Sequence, residues 1–173
     1  MGKLSPYRII KEHFKTLYLL KNGEKVTSKR DVAIQLFLPV FLGVVAYFFG
    51  FTMKSQLGLL SGMSILATLL GAVAVFVFQI RIQLRQNMDS LMTEDDIALI
   101  DELFFNILWI ILMGFIQSSL LIISEAAGLV ELDLIWRIVS AVSVALSVNV
   151  VLTLLMVLKR LARVYTRVGM HLQ

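Results

Sequence analysis

Four long apolar stretches constrain this chain more than any other feature of its sequence. They cover residues 32–52, 57–80, 103–124 and 134–158 of a chain of 173 residues. Each is at or above the roughly 20 residues that an α-helix needs to cross about 30 Å of hydrocarbon. A soluble core has no use for this much apolar surface, since 58% of the residues are hydrophobic and 16% are charged. The sequence therefore predicts an all-α, polytopic membrane protein with four transmembrane helices in two hairpins.

The segments between the spans divide the chain into five parts. These are a basic cytoplasmic amphipathic segment at 1–31, a first hairpin at 32–80, a linker with an acidic helix extension at 81–103, a second hairpin at 104–158 and a basic tail at 159–173. No small-residue cleavage site follows the first span, so we do not expect that span to be a removable signal peptide.

Positive charge is distributed unevenly between the two ends of the predicted helices. Of the 16 Lys and Arg residues, only Lys54 and Arg137 fall on the side of the short connections 53–56 and 125–133. Lys and Arg near helix ends are retained on the cytoplasmic side of a membrane. We therefore expect a multi-pass membrane protein with both termini in the cytoplasm and with outer connections too short to form a domain.

The N-terminal segment contains a predicted amphipathic helix between Ser5-Pro6, a good helix start, and Asn22-Gly23, a good helix stop. The residues assigned to the membrane interface are Arg8, Lys11, Phe14 and Lys15. Their spacing is typical of a helix whose aromatic side chains lie among acyl chains and whose cations lie near anionic headgroups. The same helix would also suit packing under the bundle or against a partner. His13 is interpreted as an ordinary interfacial residue, with a pH-sensing role as the less favoured alternative.

Charged helical extensions are predicted at the cytoplasmic ends of the third and fourth spans. The residues assigned to a docking surface for a soluble protein partner are Asp95, Asp96, Lys159, Arg160, Arg163 and Arg167. Because the two spans are antiparallel neighbours, the acidic and basic extensions meet on one side of the membrane. Mutual pairing and partner docking both remain open. Acidic residues among the basic ones weaken attraction to phosphate, so direct binding of nucleic acid is disfavoured.

Small and neutral polar residues inside the spans are candidates for helix packing or for a pore. They are Gly58, Gly62, Gly71, Ser143, Ser147 and Asn149. Small residues let helix backbones approach closely, and polar side chains in lipid usually hydrogen-bond across helices at about 0.6 kcal/mol each. The glycines suit either a contact within the chain or the interface of a homo-oligomer. The polar positions suit either packing or the lining of a pore shared between subunits.

The sequence contains no motif that is typical of an enzyme. The chain has no cysteine, which excludes thiolate metal sites and cysteine nucleophiles. Its two histidines stand at opposite ends, and the carboxylates have no histidine or nucleophile at motif spacing. We therefore predict a non-enzymatic protein without a cofactor.

The layout of the chain resembles that of a known group of proteins. Lys11-Glu12-His13-Phe14-Lys15-Thr16-Leu17 is followed by Asp31 before a proline-containing first span, by Ser64-Ile65-Leu66 in the second, and by a charged linker and another hairpin. In size and layout this is similar to the small four-helix membrane proteins of bacterial anti-phage defence loci, in particular the membrane-subunit family of the Kiwa system. The resemblance implies an inner-membrane oligomer that responds to envelope disturbance and works with a cytoplasmic effector. It transfers no functional residue.

Two functions remain open at this point. The first is an oligomeric membrane sensor or anchor that recruits or controls a cytoplasmic effector, possessing no catalytic activity of its own. The second is an oligomeric pore-forming or channel-like effector. Short outer connections and charged inner extensions favour the first, while the polar positions of the fourth span are compatible with the second.

Overall fold

The fold is a bundle of helices. The computed structural model describes the backbone of residues 7–15, 18–21, 24–27, 29–86 and 94–171, and the side chains of residues 9–14, 32–83 and 98–162. The helices are α1 (Tyr7–Lys15), α2 (Lys29–Phe48), α3 (Gln56–Gln86), α4 (Glu94–Ala126) and α5 (Asp133–His171), with a single 3-10 turn at Leu129–Glu131.

A short β-hairpin replaces the end of the predicted N-terminal helix. Strand β1 (Tyr18–Lys21) pairs antiparallel with β2 (Glu24–Thr27), and Lys21 lies opposite Glu24. The prediction of one helix reaching Asn22 is therefore wrong beyond the end of α1. Asn-Gly between two short stretches is also the strongest short-range sequence signal for a hairpin, and we had interpreted it as a helix stop.

Three helices are long and apolar enough to cross a membrane. Their apolar sections are Gln56–Gln83 in α3, Ala98–Ala126 in α4 and Asp133–Ala162 in α5. The apolar section of α2, Val32–Phe48, is shorter. By length and composition the described residues thus contain three clear crossings, against the four predicted, and the difference rests on α2 alone.

The helices pack side by side in the order α2, α5, α4, α3, and α1 packs against α4. Arg81 of α3 pairs with Asp101 of α4, and Arg160 of α5 pairs with Glu102 of α4. We call the end of the bundle that carries these four residues the charged end. The opposite end, which holds the α2–α3 connection and the 3-10 turn, is the hairpin end.

A close contact joins α2 to α5 along their lengths. Gly43 is buried, and a Cβ atom added there would lie 2.9 Å from the carbonyl oxygen of Ala141 and 3.0 Å from Cβ of Ala145. Only glycine lets the two backbones approach so closely without a shift. Helix α2 ends at the hairpin end, where Gly50 has a φ of 65° and Phe51 N–H donates to the carbonyl oxygen of Ala46 at 2.9 Å.

The apolar core lies between α3, α4 and α5. Its fully buried members include Leu103, Ile107, Ile110 and Val150. Large apolar side chains also cover the outside of the bundle, among them Phe48 and Phe49 at 80% and 85% exposure. A water-soluble protein rarely exposes apolar surface on this scale. Both faces of these helices are thus apolar, as helices that contact lipid require.

Candidate functional site

Buried polar side chains form a path through the bundle. The buried ones are His13, Gln35, Asn106, Gln117, Ser124, Ser140, Ser143 and Thr153. They lie on α1, α2, α4 and α5, and most of them face a neighbouring helix. An unpaired polar group in an apolar medium costs several kcal/mol, so each hydrogen bond here has a strong influence on how the helices fit.

Polar side chains join α2 to α5 near the charged end. Gln35 Nε2 donates to Thr153 Oγ1 at 2.6 Å, and that hydroxyl donates to the carbonyl oxygen of Asn149 at 2.9 Å. Asn149 Nδ2 completes the contact by donating to the carbonyl oxygen of Gln35 at 3.4 Å. Three residues on two helices therefore fix the position of α2 along α5.

The same asparagine joins α5 to α4. Trp109 Nε1 donates to Asn149 Oδ1 at 3.1 Å. Closer to the hairpin end, Gln117 Nε2 donates to Ser147 Oγ at 2.8 Å and to the carbonyl oxygen of Ser143 at 3.2 Å. Gln117 Oε1 and Ser143 Oγ are buried without a hydrogen-bond partner.

His13 brings α1 into this network. Its ring is fully buried and stacks on the Trp109 ring with centroids 4.5 Å apart and an interplanar angle of 6°. Nδ1 lies 2.8 Å from Asn106 Oδ1, and because an amide oxygen only accepts, Nδ1 carries the proton. Phe14 meets the edge of Trp109 at 6.0 Å. We call this arrangement of His13 on Asn106 and Trp109 the histidine seat.

The histidine seat strongly favours the neutral imidazole. Burial lowers the pKa of His13 from 6.5 to about 4, the hydrogen bond that His13 donates to Asn106 opposes the shift, and the positive charge of Arg160 adds to it. Desolvation dominates because a buried imidazolium loses its hydration. The seat is therefore closed by an uncharged side chain at neutral pH.

Ion pairs surround the histidine seat at the charged end. Arg81 Nη2 donates to Asp101 Oδ2 at 2.8 Å, and Arg81 Nε donates to Oδ1 of the same carboxylate. Arg160 Nη1 lies 3.6 Å from Glu102 Oε2, and both side chains are largely buried. These contacts link α3 to α4 and α4 to α5.

The predicted docking residues do not share one environment in the structure. Lys159 is exposed, whereas the neighbouring Arg160 is engaged by Glu102. The sequence left open whether the ends of the third and fourth spans pair with each other. Arg160 and Glu102 form such a pair. The side chains of Asp95, Asp96, Arg163 and Arg167 lie outside the described residues.

The predicted interface and packing residues also separate into groups. Lys11 is exposed and Phe14 packs on Trp109, while the side chains of Arg8 and Lys15 lie outside the described residues. Ser147 and Asn149 bond to Gln117 and Trp109 of the same chain, as packing contacts.

The three predicted packing glycines differ from Gly43. Among the side chains that the structure describes, a Cβ atom at Gly62 or at Gly71 would meet nothing within 4 Å, and one at Gly58 would meet only Ser55 of the adjacent connection. None of the three therefore mediates the close helix contact within the chain that the sequence left open. Gly43, which does, is not among the glycines that the sequence analysis assigned to packing.

The residues that sequence reasoning missed are those of the histidine seat. His13 was interpreted as an interfacial residue, but it is fully buried. Its spacing of three residues from Ile10 places it at the edge of the apolar face of α1, but no local pattern identifies a partner 93 residues away. Among the residues that the structure describes, no group of three or more His, Cys, Asp or Glu side chains is arranged to hold a metal ion.

Comparisons of the chain with protein-family models, with curated proteins and with solved structures found no match. The site must therefore be interpreted from its own geometry. That geometry holds helices together and connects α1 to the bundle.

Proposed function

We propose that this protein is a non-enzymatic, oligomeric membrane anchor or sensor that recruits or controls a cytoplasmic effector at the charged end of its bundle. The observation that carries the proposal is the histidine seat, because it couples α1 directly to helices that cross the membrane. A change in the packing of α4 and α5 then alters the position of α1. The proposed site is thus a mechanical connection, and it requires no catalytic group.

The proposal includes a fourth crossing by α2. The apolar section of this helix, Val32–Phe48, is about 25 Å long at about 1.5 Å per residue, slightly less than the roughly 30 Å of hydrocarbon in a bilayer. The apolar residues Phe49 and Phe51, which follow the helix, extend the stretch. Contacts support the crossing: Gln35 bonds Thr153 near the charged end, and at the hairpin end a Cβ atom added at Gly50 would lie 3.8 Å from Arg137 Nη1. Helix α2 therefore runs beside α5 for the depth of the membrane, and four crossings return both termini to the cytoplasm.

The proposed homo-oligomer rests on the open face of α3. Gly62 and Gly71 have no neighbour within 4 Å of an added Cβ atom, so they are free for close approach by another helix. We propose that this other helix belongs to a second copy of the chain.

We also propose that anionic lipid binds the side of α1 that carries the exposed Lys11.

The effector-binding surface is proposed at the basic end of α5. Lys159 is exposed, and Arg163 and Arg167 follow it at intervals of four residues on the same helix. Because Arg160 is engaged by Glu102, we leave it out of the surface. Because this surface is positively charged, we expect its partner to present an acidic patch.

Co-purification tests the docking surface. We expect Arg163→Glu combined with Arg167→Glu to lower the amount of retained cytoplasmic partner at least tenfold, because like charges then face each other. Lys54→Glu, a charge reversal at the hairpin end, is the matched control and should retain the partner. If the double variant retains the cytoplasmic partner unchanged and the protein conducts ions across liposome membranes, the pore alternative replaces docking.

A role in anti-phage defence is proposed from the sequence resemblance. Cells that carry the gene with its genomic neighbours should resist phage infection, and the double reversal should abolish that resistance while membrane insertion is unchanged. Equal phage titres with and without the gene would remove this part of the proposal. The anchor itself would still be tested by co-purification.

A further inference from the structure

The contact between α1 and the bundle depends on one titratable side chain. His13 is fully buried, stacked on Trp109 and hydrogen-bonded to Asn106, whereas its neighbour Lys11 is exposed. Of the helices in the described residues, α1 is the shortest, with 9 residues. So short a helix is marginal without tertiary contacts. Its position therefore depends on the histidine seat.

We propose that α1 is a releasable latch on the charged end of the bundle, held closed by the neutral side chain of His13 and opened when that side chain is protonated. Opening withdraws His13 and Phe14 from Trp109 and uncovers the α4 surface around Asn106. The latch is a property of the bundle itself and does not require a docked effector.

Geometry gives the physical reason for opening. A protonated His13 ring would be a buried cation close to Arg160. The Trp109 face and the Asn106 oxygen both attract that cation, but loss of hydration on burial is the larger effect and opposes it. Trp109 already uses its N–H to bond Asn149, so its position is fixed by α5. Leaving the seat lets the imidazolium regain its hydration, and this favours release.

Charged groups on three helices bear on His13 in the described part of the chain. Arg160 on α5 acts on it directly, Glu102 on α4 pairs with Arg160, and Lys11 and Glu12 lie next to it along α1. Glu102 lies one helical turn before Asn106 and is engaged with Arg160. The repulsion between Arg160 and a protonated His13 thus acts together with desolvation to open the latch.

The direction of the pH effect follows from the two states. In the open latch His13 titrates near its usual pKa of 6.5, and in the closed latch its pKa is about 4. The closed state is therefore fully favoured above the open-state value and loses its advantage as pH falls from 6.5 toward 4. Between pH 7 and pH 5 the ratio of closed to open latch should fall roughly twenty-fold.

Hydrogen–deuterium exchange of the full-length protein in lipid nanodiscs measures this ratio. The protection factor of α1 amides, corrected for the intrinsic exchange rate at each pH, reports closed against open latch even when the open form is rare. Two neutral variants serve as matched controls: His13→Phe keeps a ring on Trp109, and His13→Gln keeps a hydrogen-bonding group. The amides of α4 report the integrity of the bundle.

The latch is supported if α1 protection in the unaltered protein falls roughly twenty-fold from pH 7 to pH 5 while at least one neutral variant changes less than about two-fold. Protection of α4 must stay constant. Any other result overturns the proposal, including unchanged α1 protection in the unaltered protein, an equal fall in both neutral variants, or a parallel loss of protection in α4.

Discussion

Gly43 of α2 lies so close to Ala141 of α5 that a Cβ atom at position 43 would come within 2.9 Å of the Ala141 carbonyl oxygen. A backbone oxygen cannot move aside as the end of a flexible side chain can. The spacing of α2 and α5 is therefore set by the absence of a side chain at this position, and the hydrogen bonds of Gln35 lie on the same contact.

We predict that Gly43→Leu separates α2 from α5 and lowers the free energy of unfolding in detergent by about 1–3 kcal/mol or more, as overpacking does. Gly62→Leu is the matched control, because an added Cβ atom there meets nothing within 4 Å. The control should unfold at the same denaturant concentration as the unaltered protein when both are monomeric. Equal destabilisation by the two variants would contradict the assignment of the close contact to Gly43.

The polar contact between α2 and α5 gives a second prediction. Thr153→Val removes the hydroxyl that accepts from Gln35 and leaves a buried amide without that bond, at a cost of about 1–2 kcal/mol. Thr68→Val is the matched control, since the exposed Thr68 hydroxyl bonds only the carbonyl oxygen of Ser64 in its own helix. Unfolding in detergent should distinguish the two, and a cost at Thr153 no larger than at Thr68 would count against the polar path.

The pair of Arg81 and Asp101 should contribute little to stability. Its side chains are 44% and 35% exposed, so solvent screens the attraction, and we expect a coupling of about 0.2–1 kcal/mol that decreases in high salt. A double-mutant cycle with Arg81→Gln and Asp101→Asn measures that coupling. A value above about 2 kcal/mol would mean that the bundle depends on this ion pair more than its exposure allows.

Arg160 should tune the titration of His13. Its positive charge contributes to lowering the pKa of His13 to about 4, so Arg160→Gln should raise that pKa toward 6.5 and shift the opening of the latch to higher pH. Proton NMR of the imidazole signals follows the titration, and His171→Asn removes the signal of the other histidine. Lys159→Gln is the control for loss of an exposed charge. An unchanged or lowered pKa in the Arg160 variant would contradict the electrostatic account.

The sequence predicts helical spans well because lipid imposes a simple rule of length and composition. The predicted third and fourth spans, 103–124 and 134–158, end within a few residues of the apolar sections Ala98–Ala126 and Asp133–Ala162 of the structure. The sequence does not predict which helices touch, because an apolar helix carries no pattern that identifies its neighbour. Gly43 and Gly62 look equivalent in sequence, and only their surroundings separate a packing position from an open one.

The histidine seat lies beyond sequence reasoning for a related reason. His13 and Asn106 are 93 residues apart, and neither belongs to a local motif that requires the other. The hairpin after α1 was missed because Asn22-Gly23 suits both a helix stop and a hairpin turn. The tertiary pairing of β1 with β2 decides between the two.

The central claim, four crossings with α1 and the C-terminal tail on the same side, is tested most directly by single-cysteine labelling in spheroplasts. The chain has no cysteine, so Lys21→Cys, Ser55→Cys and Gln173→Cys each give one reactive site. If α2 crosses, a membrane-impermeant maleimide labels only position 55 in intact spheroplasts and reaches positions 21 and 173 after permeabilisation. If positions 21 and 55 are labelled together from outside while 173 is protected, α2 does not cross, and the account is contradicted.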